Sequence, residues 1–310
     1  MYPRLVNEIR YHTNLWSMMK YPITKTIDHI DTYFNNQIAD PYRWLEDDQS
    51  QETADWIERQ NAFTQDYLSQ IPYREELRKR MTALCDCERI GMVFEVKDHL
   101  YIFKNDGLQN QNLLYRQPIN ATDETDREVF LDPNSFSKDG TTSLTAIRFS
   151  EDGSKCAYLR SEGGADWCSV HIIDTKTKQE LEPPLQNIKF SQISWLENDG
   201  FFYSTYDKPE GSKLSAQTDQ HKVYYHKIGT PQSSDKLYYG RNEKEKSRYV
   251  SASVSKDNKY LILSLTQSGS INALCITKIS QQPAEFQFFT TFEQGSQTYF
   301  ITQKHDNIIL

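Results

Sequence analysis

Apolar residues along this chain follow two periods in turn. Between residues 49 and 69 they keep helical spacing. Trp56, Phe63 and Tyr67 fall on one stripe, flanked by Ile57 and Leu68, which predicts an amphipathic helix. Ser50 is placed to cap it, and Glu46, Asp47 and Asp48 put negative charge near its positive end. Pro72 ends it. Leu77, Met81 and Leu84 mark a second helix over 73–84, with Arg74, Arg78, Lys79 and Arg80 on its polar face. Residues 1–48 keep neither period and read as an extended arm with turns.

After about residue 90 the pattern becomes strands separated by tight turns, and a unit repeats. Phe149 to Tyr158 is its clearest copy: an apolar strand end, then Asp152-Gly153, then a second strand. Related units run from Phe94 to Phe103, Ser194 to Tyr203 and Val254 to Ile262, with a degraded copy from Ile301 to Leu310. Their turn aspartates are Asp98, Asp152, Asp199, Asp257 and Asp306. Asp-Gly and Asp-Asn between apolar runs signal hairpins, whose central residues need positive φ. Further strands at 168–174 and 222–228 follow two of the turns. A hairpin recurring about every 50 residues in an all-strand context predicts β-propeller blades. The alternative is unrelated antiparallel strands in a sandwich. Asn307 to Leu310 reads as the opening of a strand, so the expectation is a fragment.

Composition narrows the function. The chain has 310 residues, 37% of them hydrophobic and 13% aromatic, and a formal net charge of −8; mean hydropathy is −0.74. The acidic balance argues against a nucleic-acid partner, which requires a basic footprint. No apolar run is long enough to span a membrane, and the first 20 residues lack a secretory pattern. Five scattered cysteines do not form a disulfide framework, which suits a reducing, cytoplasmic setting. Cys85-Asp86-Cys87 has no CxxC or paired-histidine partner, so neither a metal nor a cofactor is expected.

Catalytic signals are missing. None of the 12 glycines opens a G-x-S-x-G nucleophile elbow; Gly229-Thr230-Pro231-Gln232-Ser233 has its serine in the wrong place. No glycine-rich phosphate loop is present. His171 and His226 lie in strand patterns and read as structural, and His99 sits at a turn.

Asp40-Pro41-Tyr42-Arg43-Trp44-Leu45-Glu46-Asp47 is the most distinctive stretch. Pro41 sets a turn, and Tyr42 and Trp44 are expected to clamp the segment onto a core. Together with Tyr21-Pro22, it resembles the N-terminal signature of the prolyl oligopeptidase family of serine peptidases. Further matches are Gly107-Leu108-Gln109-Asn110-Gln111 with Leu114-Tyr115, Phe130-Leu131-Asp132-Pro133-Asn134, Phe149 to Gly153, and Lys189-Phe190-Ser191 with Trp195.

The resemblance implies a mainly β chain: a partial propeller of about four blades and the start of a fifth over 89–310. Before it, over 1–88, stands an arm with two helices that belongs to an α/β-hydrolase domain. The Ser, Asp and His triad would then lie beyond residue 310, leaving no catalytic residue here. That missing hydrolase domain would pack on the arm, and the parent enzyme would cleave short proline-containing peptides. Phe190 would be the propeller's apolar pocket residue. Tyr249 and Gly269 stand where relatives can carry other pocket residues but differ in type, so no role carries over to them. The competing functional reading is a catalytically dead remnant that binds proteins or peptides.

Overall fold

The computed structural model describes residues 20–207, 218, 220–267, 271–294, 298–299, 302–304 and 307–309. The chain divides into two compact units, Met1–Leu84 and Cys85–Leu310.

In the first unit, helix α1 (Gln51–Ser69) starts where its cap predicts, with Ser50 Oγ accepting from the Thr53 N–H at 3.1 Å. The arm covers part of its stripe, while Ile57 stays exposed. The Trp56 indole donates to Thr24 Oγ1 at 3.0 Å, and the Phe63 ring lies 5.1 Å from that of Tyr21. Helix α2 (Arg74–Cys85) follows Pro72, and its stripe Leu77, Met81 and Leu84 stays exposed. The arm contains a hairpin that its lack of period concealed. β1 (Ile30–Tyr33) pairs with β2 (Asn36–Ala39) through Phe34 and Asn35, both at positive φ, the two-residue turn that suits strand twist.

The two aromatic residues of the Asp40–Asp47 segment are held differently from each other. Trp44 is half-buried and donates from Nε1 to the Lys25 carbonyl at 2.9 Å, but Tyr42 is exposed. Arg43 is the hub: its guanidinium pairs with Asp31, with Asp40 at 3.2 Å and with Glu46 at 2.6 Å. A planar fork with several donors can gather three carboxylates, which an aromatic ring cannot.

The second unit is a row of four-stranded antiparallel meanders. Blade 1 contains β3 (Arg89–Val96), β4 (His99–Asn105), β5 (Leu113–Pro118) and β6 (Glu128–Leu131). Blade 2 contains β7 (Thr142–Phe149), β8 (Lys155–Glu162), β9 (Trp167–Asp174) and β10 (Leu185–Lys189). Blade 3 contains β11 (Ser194–Leu196), β12 (Gly200–Thr205), β13 (Lys222–Lys227) and β14 (Lys236–Tyr239). Blade 4 contains β15 (Tyr249–Val254), β16 (Tyr260–Thr266), β17 (Asn272–Lys278) and β18 (Gln287–Thr290). A further hairpin pairs β19 (Thr302–Lys304) with β20 (Asn307–Ile309); Asp306 lies outside the described residues. Each sheet is built from consecutive strands and none is shared, which separates blades from a sandwich.

Strand periodicity explains how the blades pack. On β8, Cys156 and Tyr158 pack with Tyr101, Leu114 and Phe130 of blade 1, while Ala157 and Leu159 pack with Phe201 and Tyr203 of blade 3. On β12, Phe202 turns the other way, into a cluster with Leu261, Leu263 and Leu265 of blade 4. The second strand of each middle blade is therefore buried on both faces over most of its length.

The repeated turns do not place positive φ on their aspartates. It falls on Lys97, Gly153, Glu197 and Asn258. Asp152 and Asp257 instead accept hydrogen bonds. Asp152 Oδ1 takes the Ser154 N–H at 2.9 Å and the Ser150 hydroxyl at 2.8 Å, and Asp257 Oδ1 takes the Ser255 hydroxyl at 2.7 Å. A short carboxylate that bonds backbone two residues on fixes the turn and leaves the left-handed position to Gly or Asn. The turns of blades 2, 3 and 4 also meet. Asp152 N–H donates to Asn198 Oδ1 at 2.8 Å, and Asn258 Nδ2 donates to Glu151 Oε2 at 2.8 Å.

Candidate functional site

Phe190 lies in the connection from β10 to β11, at the opposite end of the sheets from these turns. Its φ of 53° holds a large side chain in the left-handed region, a conformation that persists only where the surroundings over-determine it. Phe190 is 46% exposed. Tyr249, the first residue of β15, meets it edge-on at 5.4 Å and 70°, and Tyr206 does so at 6.4 Å and 85°. Lys189 Nζ sits 5.1 Å from the Phe190 ring centre and the Arg248 guanidinium 5.6 Å from that of Tyr249. The result is an aromatic surface with a cationic border.

Beneath it is His221, fully buried. Its Nε2–H donates to the Lys189 carbonyl at 2.9 Å, and its Nδ1 accepts the Val250 N–H at 2.9 Å. The imidazole thereby ties together the residues beside Phe190 and Tyr249. Tyr206 stacks on it at 4.4 Å and 25°, and the Tyr206 hydroxyl donates to the Arg248 carbonyl. Burial pushes the His221 pKa down to about 4, against the lesser pull of the Lys189 carbonyl. A neutral imidazole with both nitrogens engaged has no capacity left for proton transfer. The site presents an apolar surface, and the histidine under it is fully engaged in holding the backbone on either side.

A second buried histidine joins blades 2 and 3. His226, on β13, lies between Asp235 (Nδ1 to Oδ1, 2.7 Å) and Glu182 (Nε2 to Oε1, 2.6 Å). The Tyr203 hydroxyl donates to Asp235 Oδ2 at 2.8 Å, and the Gly229 N–H to Glu182 Oε2 at 2.6 Å. Burial alone would lower the His226 pKa, but bonding and attraction to Asp235 and Glu182 together raise it.

The family profile of the prolyl oligopeptidase N-terminal beta-propeller domain matches residues 22–310. The chain belongs to the prolyl oligopeptidase family. It is 45% identical over 297 residues to the prolyl endopeptidase of Elizabethkingia meningoseptica, covering 93% of this chain and 41% of that protein. It is 47% identical over 278 residues to the prolyl endopeptidase of Elizabethkingia miricola, covering 89% and 39%. The chain thus spans about two fifths of the length of the curated relatives it matches. Among solved structures it resembles prolyl oligopeptidase B from Galerina marginata bound to a 25mer macrocyclization substrate. The TM-score is 0.76 and the identity 26%, over 93% of this chain and 44% of that one.

The family motifs have legible physical roles in this chain. Gln111, from the Gly107–Gln111 stretch, clasps Asn134, from Phe130–Asn134: Gln111 N–H donates to Asn134 Oδ1 at 2.8 Å and Asn134 Nδ2 to the Gln111 carbonyl at 3.0 Å. The Gln111 side chain continues into blade 2, donating to the Thr142 carbonyl at 2.7 Å and accepting the Leu144 N–H at 3.0 Å. These motifs lock blade 1 to blade 2.

The structure brings Phe190 and Tyr249 together, although sequence reasoning assigned Tyr249 no role. It passed over His221, which sits in the polar run Gln220-His221-Lys222 without a signal of its own. Gly269 lies outside the described residues. No group of three or more metal-ligating side chains is assembled among the described residues, and no described helix is long and apolar enough to cross a membrane. A cavity of 640 Å³ lies between blades 3 and 4, beside Glu197, Asp199 and Tyr260, and does not include Phe190.

Proposed function

We propose that this chain supplies the propeller side of a cytoplasmic serine endopeptidase that cleaves short peptides after proline. In this reading residues 89–310 are propeller and limit access to the active site. Residues 1–88 are the N-terminal part of an α/β-hydrolase domain whose remainder packs on the arm and carries the Ser, Asp and His triad. Phe190, with Tyr249 beside it, offers the peptide an apolar wall. The observation that carries the proposal is the exposed Phe190 ring, held at positive φ on a buried histidine, in a chain of this family.

Such a wall contributes by excluding water from bound substrate and by orienting it, since apolar contact yields roughly 25 cal/mol per Å² buried. It performs no bond chemistry. The attack on the peptide carbonyl requires an activated serine and an oxyanion site. The test is to assay residues 1–310 with a chromogenic Gly-Pro substrate, alone and fused to the hydrolase portion of the Elizabethkingia meningoseptica relative. The chain alone should give no turnover sensitive to a serine-directed inhibitor, and the fusion should give it. Inhibitor-sensitive turnover that follows the unfused chain through purification would overturn the proposal.

A further inference from the structure

The five cysteines fall into two classes. Cys156 and Cys275 are buried in the sheets and Cys168 is half-buried. Burial pushes all three thiols up, Cys275 to about 12, so little of the reactive thiolate forms. Cys85 and Cys87 are both exposed.

We propose that Cys85 and Cys87 form a reversible redox site, closed to an intramolecular disulfide by a low-molecular-weight disulfide such as oxidised glutathione. Cys85 is the last residue of α2, and the Cys87 N–H donates to its carbonyl at 2.8 Å, which closes a γ-turn. Residues two apart are separated by at most about 7 Å. The turn draws them closer, into the range of roughly 4.4–6.8 Å that disulfides bridge.

The turn is braced on its far side by blade 1. Gly107 adopts a φ of 128° and passes so near that an added Cβ would lie 2.7 Å from the Cys87 nitrogen. Arg89 Nη2 donates to Asn105 Oδ1 at 3.0 Å and to the Gly107 carbonyl at 3.1 Å, and Glu88 pairs with Lys104 at 2.8 Å. Two thiols without further ligands fall short of the four donors of a structural zinc site, and no third ligand joins them among the described residues. A thiol pair held exposed on a fixed turn suits oxidation.

The step balances as two exchanges. One cysteine thiolate attacks oxidised glutathione, forming a mixed disulfide and releasing one glutathione thiolate. The second cysteine attacks the cysteine sulfur of that mixed disulfide and releases the other glutathione. The pair loses two electrons and two protons, and one oxidised glutathione becomes two thiols. A small ring of this kind is strained and hence easily reduced again.

Both cysteines fall in one tryptic peptide, Met81 to Arg89, so mass spectrometry reads the outcome directly. With the whole chain, a thiol reagent should find two fast thiols and three slow ones; the slow set reports folded sheets. After oxidised glutathione the fast thiols should vanish, and the peptide should be lighter by two hydrogens. Dithiothreitol should restore both. Cys87→Ser should stop at the glutathione adduct on Cys85. A wild-type peptide that stays reduced, stops at glutathione adducts or cross-links to a second chain would overturn the proposal. So would five thiols of equal rate, because the site requires the fold.

Discussion

The His221 imidazole donates to the carbonyl of Lys189 at 2.9 Å, and Lys189 is the residue before Phe190. Its other nitrogen accepts from Val250, so only one neutral tautomer satisfies both bonds. Because the folded-state pKa lies near 4 and an unfolded histidine titrates near ~6.5, the unfolded chain takes up the proton first as pH falls. His221 therefore supports the fold fully above about pH 6.5, and its contribution drains away down to about pH 4. The total is on the order of 3 kcal/mol. Between pH 7 and pH 5, urea unfolding should show wild type losing more stability, or gaining less, than His221→Gln. An equal change in the two proteins would contradict the assignment.

His226 carries the opposite sign. Its pKa is raised between Asp235 and Glu182, so the folded state holds the proton more tightly than the unfolded one. Its contribution is complete below about pH 6.5 and is lost as pH rises through the higher folded value. His226→Ala leaves two buried carboxylates without their cation and should cost about 3–5 kcal/mol near neutral pH. Chemical denaturation across pH 6–9 should show an alkaline loss of stability in wild type and none in this variant. The two histidines can thus be separated in one pair of titrations.

Gly200 opens β12 against β13. A Cβ there would lie 2.2 Å from the His226 carbonyl oxygen and 2.6 Å from the Tyr225 hydroxyl. The oxygen belongs to the sheet backbone and cannot swing aside. Gly200→Ala should destabilise the chain by about 1–3 kcal/mol or more, read as a lower denaturant midpoint. Gly164→Ala is the useful contrast. Nothing lies near its Cβ position, but its φ of 74° strains any side chain, at roughly 1–2 kcal/mol.

Much of this architecture is visible in the residues themselves. The α1 stripe, the Ser50 cap and the repeated turns rest on local rules, and local rules survive in the folded chain. The hairpin through Phe34 and Asn35 escaped because its strands are short and both sides are largely exposed, so no alternation marks them. Arg43 was overshadowed by its aromatic neighbours because its carboxylate partners include Asp31, which only the folded arm brings within reach. His221 was silent for the same reason on a larger scale. Its partners Lys189 and Val250 lie in other blades, and sequence spacing carries no record of contacts made across separate sheets. Phe190 was legible only through its family resemblance, since the φ that displays it has no glycine or asparagine to announce it.

The exposed Phe190 ring makes the account most open to refutation. In the fusion with the relative's hydrolase portion, Phe190→Ala removes an apolar contact of about 1.5–3 kcal/mol. The predicted result is a KM for the Gly-Pro substrate raised about 10- to 100-fold, with kcat changed far less and the pH profile retained. A Phe190→Ala fusion that is folded and active, with the KM of its parent, would contradict the claim that this propeller presents Phe190 to the substrate.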